Sequence, residues 1–448
     1  MSCIITIYAE EGSFMKRFFE EKLNAWKDAS TRKPLVIRGA RQVGKTFTVK
    51  EFGKIFFPSL VIIDFERNRS VHSIFEKDLN PLKMIQELEI FTGQKITPGK
   101  TLLFFDEIQA CERALTMLRY VYEEIPQLHV VAAGSLLEFA MNSISFPVGR
   151  VTFEWMRPMT FREFLLASGK EMLLENLPSV FDPKPVSGIL HHTVMEELRR
   201  YFIVGGMPEA VKRYLDSGSL TTVKKVHDDI AHSYLESLAK YNTRANVESL
   251  EHLMKSVPSS VGSQIKYTYL DPDRRIEVTK SSLNILEKAL LVHLIHSTNV
   301  SGLPLGANAS AKVFKAIFVD IGLVQHICKV DPLETINSPD LTAVYKGAIA
   351  EQFVGQELLA SGGSENSQLY YWNRMKKGST AEVDFVISRG AKIYPVEVKS
   401  GSAGKMRSIH QLFSEHPEIE KGFVLSSDIY EKQAIGKLIF MPLYSALE

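Results

Sequence analysis

Leu35-Val36-Ile37-Arg38-Gly39-Ala40-Arg41-Gln42-Val43-Gly44-Lys45-Thr46 is a short apolar run that ends in a complete G-x-x-x-x-G-K-T loop at 39–46. The helical stretch Phe47 to Phe52 follows it. A buried strand, a glycine-containing turn and a helix in this order make a phosphate cradle. The glycines let backbone N–H groups close around phosphate oxygens, and the helix N-terminus adds partial positive charge. Gly39, Ala40, Arg41, Gln42, Val43 and Gly44 would line such a cradle. Lys45 would reach the β- and γ-phosphates of ATP, and the Thr46 hydroxyl would ligate Mg²⁺.

Three more apolar runs lie downstream: LVIIDF (60–65), TLLFFDE (101–107) and LHVVAAGS (128–135). Short continuous apolar runs alternating with amphipathic stretches predict a parallel sheet covered on both faces, hence an α/β domain over 1–190. The loop DPKPVSG (182–188) closes it. Asp106 ends a strand, where it would hold the Mg²⁺, and Glu107 follows as the general base for the attacking water. An ordinary carboxylate pair at a strand end is the plain alternative. Ser135 ends the next strand, where it either senses the γ-phosphate or caps the helix at 136–141.

Composition fits this reading. The 448 residues are 45% apolar and 23% charged, with a net charge of +1. That is the profile of a globular chain of about three domains. No global field advertises a polyanionic partner, so any such partner must be held by local patches. Cys3, Cys111 and Cys328 are widely spaced and form no C-x-x-C pair, which argues against structural zinc and for a reducing setting. The N-terminus has no basic segment leading into a long apolar one, and no run reaches the ~18 apolar residues of a membrane span. A cytoplasmic protein is expected.

The middle, 191–310, reads as helices at 191–203, 208–217, 220–240, 246–259 and 279–296, followed by a loop at 302–310. Its part 246–296 has a winged-helix-like pattern, VESLEHLMKSVPSS as a supporting helix and VTKSSLNILEKALLVHLIHS as a second helix running into a strand. Such a second helix reads DNA in helix-turn-helix proteins, with Thr279, Lys280, Ser281, Ser282 and Asn284 as contacts here. A plain helical packing module fits the same pattern. From 311 to 448 strands return at 369–373, 382–388, 392–400 and 422–427, with helices near 345–360 and 404–416. Glu351 falls on a helix and Asp384 inside the apolar strand EVDFVI. Glu397 and Lys399 share one face of the next strand, because strand side chains alternate. A carboxylate amid apolar residues needs a counter-charge or a metal. The stretch 371–405 carries seven Lys or Arg against three Asp or Glu, which favours a polyanion such as DNA or RNA, although a solvated basic loop explains most of it.

RGARQVGKT, LLFFDEIQ, VVAAGSLLEF and FPVGRVTFEWMRPMTFREFL, in this order, resemble a prokaryotic subfamily of AAA-type ATPases. Its members carry a C-terminal domain of unknown function with a restriction-endonuclease-like core. Tyr345 to Glu351, VFKAIFVDIGL (313–323), WNRMKKGSTAEVDFVI and YPVEVKSG are similar to the second half of the same family. The resemblance implies a P-loop ATPase sheet at 1–190, a helical, winged-helix-like part at 191–310 and a restriction-endonuclease-like α/β domain at 311–448. It puts the family's Gly-Arg element on Gly149-Arg150, with Arg150 contacting phosphate from its own subunit or a neighbour. Ser135 replaces the usual sensor asparagine. Glu351, Asp384, Glu397 and Lys399 resemble the PD-(D/E)XK nuclease constellation, in which the three carboxylates hold Mg²⁺ or Mn²⁺ and Lys399 positions water or steadies phosphate charge. A nucleotide state that controls a nuclease-like domain on nucleic acid is the expectation. An ATP-dependent scaffold or signalling switch, with protein partners and a silent nuclease fold, is the alternative.

Overall fold

The computed structural model describes residues 15–140, 149–239, 244–337, 347–361, 369–374, 376, 378–399, 406–429 and 434–446. The expected motif residues Tyr345 and Lys346 lie outside these. No helix among the described residues is long and apolar enough to cross a membrane.

The first sheet is five-stranded and parallel throughout. Its order is β2 (Ser59–Asp64), β3 (Thr101–Asp106), β4 (His129–Gly134), β1 (Leu35–Arg38) and β5 (Thr152–Trp155). Every residue of β1, β3 and β4 is buried. Their alternating side chains feed two cores. Leu35, Ile37, Leu102, Phe104 and Val131 face one, and Val36, Leu103, Phe105 and Val130 face the other. This is why these strands read as unbroken apolar runs. The loop at 39–46 leaves the C-terminal end of β1, the end at which β3 delivers Asp106. Gly39 is fixed by space, since a β-carbon there would strike the Met156 carbonyl oxygen just past β5.

The second sheet is eight-stranded and mixed. From one edge to the other it runs β12 (Ala434–Ile435), β13 (Leu438–Pro442), β11 (Gly422–Ser426), β10 (Lys392–Val398), β9 (Glu382–Arg389), β8 (Tyr370–Asn373), β6 (Val292–Thr298) and β7 (Ser310–Phe318). The helix Ala348–Ser361, the β8–β9–β10 meander, the helix Arg407–Glu415 and β11 follow in the expected order. The sheet does not begin at residue 311. β6 pairs in parallel with β8 at His296–Thr298 and antiparallel with β7. The helix expected over 279–296 therefore stops at Lys288, and 292–298 is strand, in line with the reading of this stretch as a helix running into a strand. The apolar run ALLVHLIHS fits either period, and only its partner strands settle the matter. Within the helix Ile276–Lys288, Thr279 and Ser282 are fully buried, so these two are not available to DNA. Lys280, Ser281 and Asn284 are exposed.

A chain of buried polar contacts joins the two sheets. Arg17 donates to the loop carbonyl of Val43 (2.9 Å), to Arg157 O (2.8 Å) and to Glu163 Oε1 (2.9 Å). Glu163 in turn closes a capping box with Thr160 at the start of the helix Phe161–Ala167. The Phe161 N–H donates to Glu357 (3.2 Å) on the helix Ala348–Ser361. Gln356, one residue earlier, donates to Tyr201 Oη (2.8 Å), and Tyr201 donates to Met159 O (2.6 Å). Asp320 accepts from Gly206 N (2.6 Å) and Leu323 N (3.0 Å).

Burial pushes the Glu357 carboxyl up to about 8, against the opposing pull of the Phe161 N–H. The folded state thus binds this proton more tightly than the unfolded chain does. Its stabilising effect is complete below the ordinary glutamate range and is lost as pH rises through about 8. Glu357→Gln keeps an acceptor for Phe161 without that titration. Thermal melts of the variant and the parent should coincide at pH 5, and by pH 9 the variant should melt several degrees higher. Equal melting at both pH values would show that Glu357 is not held protonated.

Candidate functional site

Gln42 (φ 64°) and Gly44 (φ 96°) turn the loop back on itself, and the helix Lys45–Phe56 starts directly after Gly44. The amides of Val43 to Thr46 therefore sit at the point where a helix leaves its first N–H groups without partners. Lys45 Nζ folds over the loop and donates to the carbonyls of Gly39 (2.8 Å) and Ala40 (2.7 Å). Burial pushes its ammonium down to about 8, with Glu107 and Asp106 pulling the other way. Carbonyl dipoles are weak partners for a buried ammonium, so the loop is electrostatically set for an anion.

Asp106, the last residue of β3, accepts from Thr46 Oγ1 at 3.0 Å, and burial raises its carboxyl above the usual range. Glu107 follows in the left-handed region (φ 49°). Its Oε2 accepts from Gln109 Nε2 (2.5 Å) and from Ser135 Oγ (3.3 Å). Arg41 Nε also reaches Ser135 Oγ (3.3 Å), and its Nη2 pairs with Glu66 (3.3 Å). Lys45, Thr46, Asp106, Glu107, Ser135 and Arg41 thus form one connected cluster at the C-terminal edge of the sheet.

Arg150 is not brought to this cluster. It is half-exposed and pairs with Glu123 (2.9 Å), which Arg119 shares, in the last turn of the helix Glu112–Glu124. That helix of 13 residues spans about 20 Å away from the strand end at Asp106. Contact with the loop of its own chain is ruled out in this arrangement.

Three contacts to the loop carry no sequence motif. Arg17 holds Val43, Tyr234 Oη donates to Arg41 O (3.0 Å), and Gln42 Nε2 donates to Ser233 Oγ (3.1 Å). The last two come from the helix Leu220–Ala239, so part of the middle segment rests on the phosphate cradle.

In the second sheet, Glu351 and Asp384 meet around a lysine that sequence reading passed over. Lys315, on the edge strand β7, has a side chain only 3% exposed and pairs with Glu351 Oε2 (2.8 Å), Asp384 Oδ1 (3.2 Å) and Glu382 Oε1. Asp384 Oδ2 accepts from the Val398 N–H at 2.8 Å. Glu397 pairs with Lys399 (2.6 Å) through Oε1, and its Oε2 is buried with no hydrogen-bond partner. Burial and the nearby Asp384 push both Glu351 and Glu397 upward, while Lys315 and Lys399 oppose them. Burial works against charge on Lys315, but Asp384, Glu351 and Glu382 outweigh it and hold the ammonium well above its ordinary range. Among the described residues, no three His, Cys, Asp or Glu side chains are gathered as a metal cage. The signal for Lys315 was available in the sequence, as a lone charge inside the apolar strand VFKAIF. Of the basic residues counted over 371–405, Arg374 is paired with Glu415 (2.5 Å) and Lys392 with Glu420 (2.6 Å).

Comparison with known proteins adds a family for the first third of the chain. Residues 195–334 and 346–445 match models of two domains of unknown function, DUF8612 and DUF4143. No curated protein matches the chain. Among solved structures it is similar to the Walker-type ATPase of Pyrococcus abyssi, at 14% identity over 70% of this chain and 96% of that one, with a TM-score of 0.44. It is also similar to the Orc1 protein of Aeropyrum pernix in complex with DNA, at 10% identity over 70% and 90% of the two chains (TM-score 0.30). AMPPCP-bound DnaA from Aquifex aeolicus aligns at 12% identity over 60% and 87% (TM-score 0.26). Residues 31–165 match the family model of an AAA domain, and together with the parallel sheet and its loop this makes them an AAA-type domain of the P-loop ATPase class.

Proposed function

We propose that the N-terminal domain binds and hydrolyses ATP with Mg²⁺, and that its nucleotide state sets the conformation of the C-terminal sheet. The observation that carries this reading is the buried chain from Val43 through Arg17 and Glu163 to Phe161 and Glu357. Any movement of the loop on binding phosphate must be accommodated by Arg17, and its charge has no water to fall back on.

In this reading the amides of 39–46 cradle the phosphates, and Lys45 exchanges two carbonyl partners for phosphate oxygens. Thr46 and Asp106 would hold a Mg²⁺, which would neutralise charge on the phosphates. Glu107 orients the attacking water and accepts its proton. The left-handed backbone at Glu107 is the kind of strained position that persists where side-chain placement matters. Ser135 links Glu107 to Arg41 and would register the γ-phosphate. Arg150 would serve the nucleotide of a neighbouring copy, since its own loop is beyond reach.

We read the C-terminal sheet as a nuclease-like domain, with Glu351, Asp384, Glu397 and Lys399 in the PD-(D/E)XK positions. A divalent ion there does not fit the residues as arranged, because the Lys315 ammonium stands among the acids. No step is routed through that ion. DNA or RNA would be met electrostatically, with Lys280, Ser281 and Asn284 on the exposed face of their helix. The scaffold-switch alternative draws on the same Lys315 and on the pairing of Arg374 and Lys392.

Lys45→Ala should weaken ATP binding by about 100-fold or more, as charged hydrogen bonds to phosphate are lost. Glu107→Gln should bind ATP normally while turnover falls by roughly 10²–10⁴-fold. Nucleotide titration and phosphate release read the two effects separately, and equal loss of binding in both variants would make Glu107 structural. Turnover should also rise when duplex DNA is added, and that rise should shrink steeply with salt through counterion release. Turnover indifferent to any nucleic acid would favour the scaffold switch.

A further inference from the structure

We propose that Lys315 is a tethered cation that keeps the carboxylate cluster of the C-terminal sheet closed to divalent metal, so that a metal enters only when Lys315 withdraws. This rests on the nuclease-like reading of that sheet and adds the device that would control it.

Saturation of the ammonium is the first part of the argument. A lysine ammonium has three N–H donors, and Lys315 meets three carboxylates, Glu351, Glu382 and Asp384. Its Nζ also lies over the ring of Tyr371, 5.8 Å from the centroid. It is therefore a fully satisfied buried ion and not a stray surface charge.

The second part is the account of carboxylate oxygens. Asp384 has one oxygen on Lys315 and the other on the Val398 N–H. Glu351 gives Oε2 to Lys315, and Glu397 gives Oε1 to Lys399. Glu397 Oε2, buried without a partner, and Glu351 Oε1 are the oxygens left over. Mg²⁺ and Mn²⁺ ask for several oxygen ligands at once. These two oxygens, on separate side chains, do not meet that demand while Lys315 stays. If Lys315 leaves, Glu351 Oε2 and Asp384 Oδ1 are released beside Glu397 Oε2, and the set becomes one that suits a hard cation.

Charge points the same way. Glu351, Glu382, Asp384 and Glu397 face Lys315 and Lys399, so acids outnumber bases and the cluster retains attraction for further positive charge. The ammonium blocks access without removing that attraction. Lys315 also sits on the strand whose exit leads to Asp320, which holds the Gly206 N–H ahead of the helix Pro208–Ser217. Displacement of β7 is thereby tied to the start of that helix, whose Pro208 side chain lies beside Gly44 of the phosphate loop.

The test is Mn²⁺ binding to the full chain without nucleotide, followed by the electron-spin resonance signal of free Mn²⁺. Lys315→Met keeps the stem and removes the charge. It should bind Mn²⁺ on the order of 10- to 100-fold more tightly than the parent, the ratio expected when a charged hydrogen-bonded contact no longer has to be broken. Lys315→Arg should bind as weakly as the parent, and adding Asp384→Asn to Lys315→Met should erase the gain. Should Lys315→Met fail to fold, Lys315→Gln with Glu382→Gln removes an acid with the base and is read in the same way. Parent binding as tight as the variant's would overturn the lock and leave the nuclease-like site standing. No Mn²⁺ binding by any of these proteins would remove the lock and the nuclease-like reading together.

Discussion

A charge taken out of water must find its opposite or a ring of donors, and the connection between the two sheets depends on that requirement. Arg17 and Glu163 are almost fully buried and pair with each other. Each then spends its remaining hydrogen-bonding capacity on backbone, Arg17 on the loop at Val43 and Glu163 on the start of the helix Phe161–Ala167. Glu357 meets the same helix start from the other sheet. Apolar packing alone tolerates small slips between surfaces, whereas hydrogen bonds to buried ions do not. The contact between loop, helix start and C-terminal helix is for that reason specific in register.

Two buried lysines show how environment gives one residue type opposite meanings. Lys45 has only carbonyl partners, and its ammonium is pushed down toward neutrality. It lacks an anion. Lys315 has three carboxylates and is held in its charged form. It already has its anions. The first arrangement is poised to gain a negatively charged ligand, and the second resists any competing cation.

The division of labour along the chain is less modular than three consecutive domains. The strands β6 and β7 extend the C-terminal sheet from within the segment 195–334 that matches a single family model. The helix Leu220–Ala239 of that segment also rests on the phosphate loop. One segment therefore touches the cradle with one element and completes the second sheet with another. The helix Ala348–Ser361 has the same double attachment. Glu357 meets the first domain near its C-terminal end, and Glu351 meets Lys315 in its first turn.

The loop at 39–46, its flanking strand and helix, and the acid pair at Asp106-Glu107 were legible in the sequence because their chemistry is local. A tight turn needs glycine, a buried parallel strand needs an unbroken apolar run, and a strand end fixes the residue that follows it. The α/β class of both sheets followed from the same periodicities. What lay beyond the sequence was every pairing between distant residues. Nothing local in ALLVHLIHS decides between helix and strand, and β8 settles it. Thr279 and Ser282 look like polar contacts for DNA until packing closes over their face of the helix. Arg150 follows a glycine, as the resemblance leads one to expect, yet its pairing with Glu123 at the far end of the helix Glu112–Glu124 holds it away from its own cradle. Glu351, Asp384 and Glu397 were recognisable as acids in need of positive charge. That a lysine from an edge strand would supply it depends on sheet order, and sheet order is a property of the tertiary structure, because strands join through backbone groups that almost every residue carries alike.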